Sequence, residues 1–228
     1  MPTGRISALR AQAHDSQRIN VFLDDEFVIG VSLNTLAREG LAVGKEIDTA
    51  GWERLEASEQ ADRAIQRAMR LIETRPRSIA EVRQRLRRAE IPAAAIEQAI
   101  ERLCELGLLD DAAFSQSWLE NRRTFRPRGS LALRDELRRK GVARDVIDAA
   151  LANQETDEEA AIEEADLALS LARAALRRYA AAPDRHNFQR RMGSYLQRRG
   201  FTSATIRPIL DQLWAEIQRA GTESREEM

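Results

Sequence analysis

Apolar residues return at three- and four-residue spacings along most of the chain, the period of an amphipathic helix, and in three places they return in one register. The segment Val82-x3-Leu86-Arg87-Arg88-x2-Ile91-x4-Ile96-x3-Ile100 is followed by Leu133-x3-Leu137-Arg138-Arg139-x-Gly141-Val142-x4-Ile147-x3-Leu151. It is followed again by Met192-x3-Leu196-x-Arg198-Arg199-Gly200-Phe201-x4-Ile206-x3-Leu210. The central leucines lie 51 and 59 residues apart. Self-similarity at a period of roughly 50 residues marks a repeat architecture, in which one supersecondary unit is copied and stacked.

Each unit reads as three helices. In the second, Asp110 or Asp111 starts a helix carrying Phe114, Trp118 and Leu119, and Arg126-Pro127-Arg128-Gly129 breaks it. Ser130 is then the expected cap of the middle helix, Gly141 permits a left-handed turn after it, and Ile147 and Leu151 lie on one face of the last. The break returns in register, since Arg75-Pro76-Arg77 precedes Arg126-Pro127-Arg128 by 51 residues. In the third unit the helix over 158–179 begins acidic, which suits the positive end of its dipole. There Arg185 stands in the place of Arg75 and Arg126, and Pro208 predicts a late start for the last helix, near Thr205.

The first fifty residues follow a different period. Strand-like runs over 19–23 and 27–31 flank Asp24-Asp25-Glu26 and predict a hairpin, with the stretch from Arg5 to Arg10 available as a third strand. Ser32 or Asn34 then caps a short helix that Gly40 ends, and a longer helix runs from about Thr49 to the Arg75-Pro76 break. The fold class is therefore mainly α, three tandem three-helix repeats after a small N-terminal β element. The divisions expected are 1–50 for the β element and short helix, 51–106, 107–154 and 155–220 for the repeats, and 221–228 for a polar tail.

Composition agrees with helices: 5% aromatic and 32% charged, with 43% apolar residues to build cores. No run approaches the ~18 apolar residues of a membrane span, and no signal-peptide core opens the chain, so a cytoplasmic protein is expected. The formal charge of −1 excludes a globally basic nucleic-acid binder. Charge is uneven, however. Basic residues dominate from Arg75 to Asp145, whereas the stretch from Glu155 to Asp166 holds seven acidic residues and no basic one. The lone Cys104 rules out an intrachain disulfide and is expected in a core, while His14 and His186 lack any metal-ligand pattern.

No phosphate-binding loop, paired-histidine zinc motif or nucleophile elbow is present, and Asp110-Asp111 is explained by helix capping. An enzyme and a cofactor are not expected. The arginines are the remaining chemistry. Arg87, Arg88, Arg138, Arg139, Arg198 and Arg199 end the middle helices, Lys140 follows Arg139, and Arg75, Arg77, Arg126 and Arg128 flank the breaks. Interaction with helix dipoles accounts for one cation per helix end at about 0.3 to 1 kcal/mol. It does not call for the rest, and these eleven residues are the candidate contacts for phosphates or for carboxylates of a partner.

The segments Arg77-Ser78-x3-Val82-x3-Leu86-x4-Ile91, Gly107-x2-Asp110-Asp111-x2-Phe114, Arg128-Gly129-x3-Leu133-x3-Leu137-x3-Gly141-Val142 and Leu196-x3-Gly200-Phe201-x4-Ile206 together resemble the bacterial RecX regulators. The likeness covers about residues 64–213, and the hairpin ahead of it is similar to an N-terminal extension of some members. The resemblance implies an elongated, curved stack of three-helix repeats, without a cofactor, that binds RecA recombinase filaments on single-stranded DNA and suppresses their extension, ATPase and strand exchange. A monomer is expected, with direct contact to single- or double-stranded DNA as a further option. Two other readings compete. One is a helix-turn-helix-like DNA binder, against which the third helices offer few base-reading side chains. The other is a helical scaffold for an unrelated protein.

Overall fold

The computed structural model describes residues 1–13, 15–155, 158–180 and 184–226, without the side chains of 153–161 and 220–226. The chain divides into two compact units, Met1–Asp110 and Asp111–Met228.

In the first unit, β1 (Gly4–Gln12), β2 (Asp15–Leu23) and β3 (Glu26–Ser32) form an antiparallel meander, and the short β4 (Glu46–Ile47) adds to β1, giving the order β3-β2-β1-β4. The β2–β3 turn is as the sequence predicts. Asp24 and Asp25 both take positive φ, 46° and 68°, the pair of left-handed residues that a two-residue hairpin needs. Ser32 caps α1 (Leu33–Arg38), accepting from the Thr35 N–H at 3.0 Å.

Asp48 caps α2 (Thr49–Thr74), which serves two cores in turn. Its first turns put Trp52 and Leu55 under the sheet with Ile6, Val21, Val31 and Leu41. Farther along, Ala64 and Ala68 join Val82 and Leu86 of α3 (Ile79–Arg87) and Ile96, Ile100 and Leu103 of α4 (Ala93–Glu105). Between the two cores lies the buried Glu59. It accepts from Arg18 at 2.8 Å and from the Ser32 N–H at 2.9 Å, so the helix shared by the sheet and the first repeat is tied to the sheet by a part-buried ion pair.

The second unit holds α5 (Asp111–Phe125), α6 (Ser130–Arg139) and α7 (Arg144–Glu155), then α8 (Glu158–Tyr179), α9 (Arg185–Arg198) and α10 (Ser203–Glu226). Each set of three closes its own core. Phe114, Leu119, Leu133, Leu137, Ile147 and Leu151 fill one; Phe188, Met192, Leu196, Phe201, Ile206 and Leu213 fill the other. A further repeat signal lies in ion pairs. Arg83 on α3 grips Glu97 on α4 at 2.8 and 2.9 Å, and 51 residues on Arg134 on α6 grips Asp148 on α7. These two arginines tie the middle helix to the last within their repeats.

The left-handed residue after each middle helix falls in register: Glu90 at φ 58°, Gly141 at 79° and Gly200 at 89°. Glu90 is the member that carries a side chain there, and left-handed backbone costs an L-residue about 1–2 kcal/mol. Glu90→Gly is therefore expected to raise stability by about 0.5–1 kcal/mol, part of the relief being returned as glycine's greater unfolded-state freedom. An equilibrium urea titration checks it.

Three sequence expectations are corrected. Ser130 does not cap α6 with its hydroxyl: Gly129 occupies the N-cap, without a side-chain hydrogen bond, and the first N–H groups of α6 find their acceptors in the third repeat. α10 starts at Ser203 and runs through Pro208, because Thr202 caps it through the Thr205 N–H at 3.2 Å and Ile206 already bonds back to the Thr202 carbonyl. Cys104 is exposed, since it follows the buried Leu103 and one helical step turns it off the apolar stripe. His14, the Ala182-Pro183 break and the side chains of the acidic stretch up to residue 161 lie outside the described residues.

Candidate functional site

The N-terminus of α6 is built differently from its counterpart in the first repeat. Ser78 caps α3 by accepting from the Glu81 N–H at 3.2 Å, and 51 residues later its place is taken by Gly129. The free N–H groups of α6 instead find acceptors in the third repeat. Gly129 donates to the Arg199 carbonyl at 2.9 Å, Leu131 to the Gly200 carbonyl at 3.1 Å, and the Ser130 N–H to Glu164 Oε1 on α8 at 3.0 Å. The positive end of one helix thus rests on the carbonyl end of another, where the two dipoles attract. Neither glycine has room for a side chain: a methyl on Gly129 would lie 2.4 Å from the Gly200 oxygen, and one on Gly200 would lie 2.3 Å from Ala132 Cβ.

This joint carries the two arms of a cleft of about 460 Å³, lined by Phe125, Arg126, Pro127 and Arg128 from the α5–α6 break and by Arg198 and Arg199 from the end of α9. Four of the eleven candidate residues therefore meet, although about 70 residues separate the two pairs in sequence. Among the described residues no carboxylate lines the cleft. The nearest compensating group is Glu136, which bonds Arg128 at 3.3 Å but is already held by Arg122 at 2.6 Å and by the Trp118 indole N–H at 3.0 Å. Arg199 lies 4.8 Å over the Tyr195 ring. Arg126 and Arg198 have no acidic partner among the described residues. The repeat explains Arg126: its counterpart Arg75 pairs with Glu81 at 3.2 Å, and the residue in Glu81's place is Ala132. Phe125 lies at the rim with 74% of its surface exposed.

The other candidates are not gathered there. Arg138, Arg139 and Lys140 sit at the far end of α6, about 15 Å along a helix of this length. Arg138 pairs with Asp135 at 3.1 Å, Lys140 lies 4.7 Å over the Trp118 ring, and Arg139 is exposed. In the first unit Arg87 and Arg88 are exposed at the end of α3. Arg75 and Arg77 close the break after α2: Arg77 donates to the Leu71 carbonyl at 2.7 Å and to the Thr74 hydroxyl at 3.3 Å. Burial, and then the neighbouring Arg75 guanidinium, push the Arg77 guanidinium below its usual value. That residue does structural work.

Four family models match in chain order: the RecX N-terminal domain over residues 4–48 and the first, second and third RecX three-helix domains over 64–103, 110–151 and 162–210. A Levilactobacillus brevis protein named Regulatory protein RecX is 31% identical over 95% of this chain and 82% of its own length. The chain belongs to the RecX family. A RecX of Lactobacillus delbrueckii subsp. bulgaricus is 36% identical over 68% of the chain, and the aligned part spans about half, 55%, of that longer relative. A crystal structure of a regulatory protein RecX superposes with a TM-score of 0.78 at 26% identity, covering 92% of this chain and all of that one.

A second arginine-bearing surface of this RecX was not foreseen from the sequence. A groove of about 1220 Å³ runs between the sheet, α2 and the α3–α4 turn, and Arg63, Arg67 and Arg70 line it beside the exposed Phe27 and Met69. Their i, i+4, i+7 spacing was legible, and like charges at that spacing disfavour the helix slightly. Asp15, Glu73 and Glu90 also line this groove, so its charge is mixed, unlike that of the arginine cleft. Among the described residues no cluster of three or more potential ligands is placed to hold a metal ion, and no helix is long and apolar enough to cross a membrane.

Proposed function

We propose that the chain is a non-catalytic, cofactor-free negative regulator of homologous recombination. It works in the cytoplasm as a monomer, binding RecA filaments on DNA and restraining RecA ATP hydrolysis, filament extension and strand exchange. The observation that carries this reading is the arginine cleft. Four arginines line it with no carboxylate among the described lining residues, in a member of a family named for regulation. Arg126 and Arg198, without an acidic partner among the described residues, leave planar donors suited to bidentate bonds with an anionic partner, and the cleft lining offers no nucleophile or acid–base pair to a substrate. On α7, the third helix of the second repeat, Asp148 is taken up by Arg134 and by Arg144 at 3.5 Å, which removes one polar side chain from the duplex-reading alternative.

The test is inhibition of DNA-dependent ATP hydrolysis by RecA, titrated with the purified chain. Reversal of both Arg126 and Arg198 to Glu is expected to weaken inhibition at least tenfold with the unfolding midpoint unchanged, since both side chains are exposed. Reversal of Arg138 and Arg139 removes exposed contacts worth about 0.2–1 kcal/mol each, so a smaller loss of about threefold is expected. Full inhibition by the Arg126/Arg198 variant would remove the cleft from the contact. A wild-type chain without effect on the filament at any ratio would overturn the regulator reading itself.

A further inference from the structure

We infer that the arginine cleft is a single-stranded nucleic-acid subsite, in which Arg126 and Arg198 hold backbone phosphates while a nucleobase stacks on Phe125. This rests on the filament reading and sharpens it, because it assigns the cleft to the DNA strand and not to the recombinase protein.

Charge separates a polyanion from a protein surface. An acidic protein patch carries lysines and arginines among its acids, and a site complementary to it would be of mixed charge; the groove of the first unit has such a mixed lining, with Asp15, Glu73 and Glu90 beside its arginines. The cleft supplies none: its described lining is four arginines, one phenylalanine and one proline. Glu136 stands behind Arg128 with its oxygens engaged by Trp118, Arg122 and Arg128. Phosphates therefore meet no carboxylate among the described lining residues, and the guanidinium forks of Arg126 and Arg198 can each take two phosphate oxygens.

Phe125 then selects the single strand. The residue is 74% exposed at the end of α5, beside Arg126 in the cleft lining. A positively charged groove bordered by an open aromatic face is the arrangement on which unpaired bases stack. In a duplex the bases are stacked on each other and their faces are closed to it. With Arg126 and Arg198 engaged on phosphates and no amide or hydroxyl side chain in the described lining, stacking on Phe125 dominates the base contact, and stacking is tolerant of sequence.

The experiment is fluorescence anisotropy of a fluorescein-labelled oligothymidine, about 20 nucleotides long, with the intact chain alone at several salt concentrations. A duplex of equal length serves as comparator. Stacking is worth about a factor of ten per base on alanine substitution, so Phe125→Ala is expected to weaken binding about tenfold, while Phe125→Trp retains it. Reversing Arg126 and Arg198 to Glu is expected to abolish measurable binding. Replacing both by Gln is expected to lower the slope of log affinity against log salt by roughly 1.4, at about 0.7 for each phosphate no longer neutralised. Absence of binding at low salt, a duplex preference, or affinity unchanged in Phe125→Ala and the Gln variant would each overturn the inference. Run beside the ATPase titration, the assay tells the two readings apart. Variants that bind the oligonucleotide normally but no longer inhibit place a protein in the cleft, and the regulator reading survives. A wild-type chain that binds DNA through the cleft but never inhibits retains the subsite and removes the regulator.

Discussion

Gly200→Ala is expected to destabilise the second unit by about 2–5 kcal/mol and to open the arginine cleft. Two costs combine. Gly200 sits at φ 89°, where a side chain costs about 1–2 kcal/mol whatever surrounds it. Its new methyl would also lie 2.4 Å from the Ala132 nitrogen and 2.8 Å from its Cα, so backbone must move, not a flexible side-chain tip. That displacement pulls apart the bonds from Gly129 to the Arg199 carbonyl and from Leu131 to the Gly200 carbonyl, each worth about 0.5–1.5 kcal/mol. Gly107→Ala is the control. It takes the same class of backbone conformation, φ 67°, but nothing lies within 4 Å of its would-be methyl, so it bears only the conformational cost. Urea unfolding of the two variants measures the difference. A Gly200→Ala chain no less stable than Gly107→Ala would mean that the second and third repeats do not meet through this contact.

That joint also marks where sequence reasoning stops. Leu86, Leu137 and Leu196 were legible because they obey local helix rules three times over, and the left-handed turn at Gly141 was legible from the glycine itself. So was the Asp24-Asp25 hairpin, whose turn chemistry is contained in two residues. Ser130 misled because a serine after a break is a good cap by local criteria, whereas the acceptors that α6 uses arrive from α8 and α9, 34 and about 70 residues away. The cleft was hidden for the same reason. Its arginines were all candidates, but nothing local distinguishes Arg126 and Arg198, which meet, from Arg87 and Arg88, which lie in the other unit. The departure from the repeat was the usable signal. Where Ser78 and Glu81 stand in the first unit, the second has Gly129 and Ala132. It has thereby given up a self-contained cap and the partner of an arginine, and both positions form the joint.

The three register leucines allow a test of how separate the repeat cores are. Leu86, Leu137 and Leu196 are each 0% exposed, and truncation of any one to alanine is expected to cost about 2–5 kcal/mol, from lost transfer energy and the cavity left behind. Within that range the order depends on how far the surroundings can collapse. Leu196 packs in a core with Met192, an unbranched side chain that refills gaps, and is expected to cost least. Leu137 is expected to cost most, because its helix is pinned on both sides: Glu136 is gripped by Trp118, Arg122 and Arg128, and Arg134 is tied to Asp148. The three tryptophans make the effects separable, since Trp52 belongs to the sheet core, Trp118 packs on the second repeat's and Trp214 on the third's. In chains retaining one tryptophan each, Leu137→Ala should shift the urea midpoint reported by Trp118 while that of Trp52 stays in place. Leu86→Ala should do the reverse, because Ala64 and Ala68 carry its core onto the helix that holds Trp52. Equal shifts at Trp52 and Trp118 in both variants would show one cooperative core, and the two units would then not be separately stable.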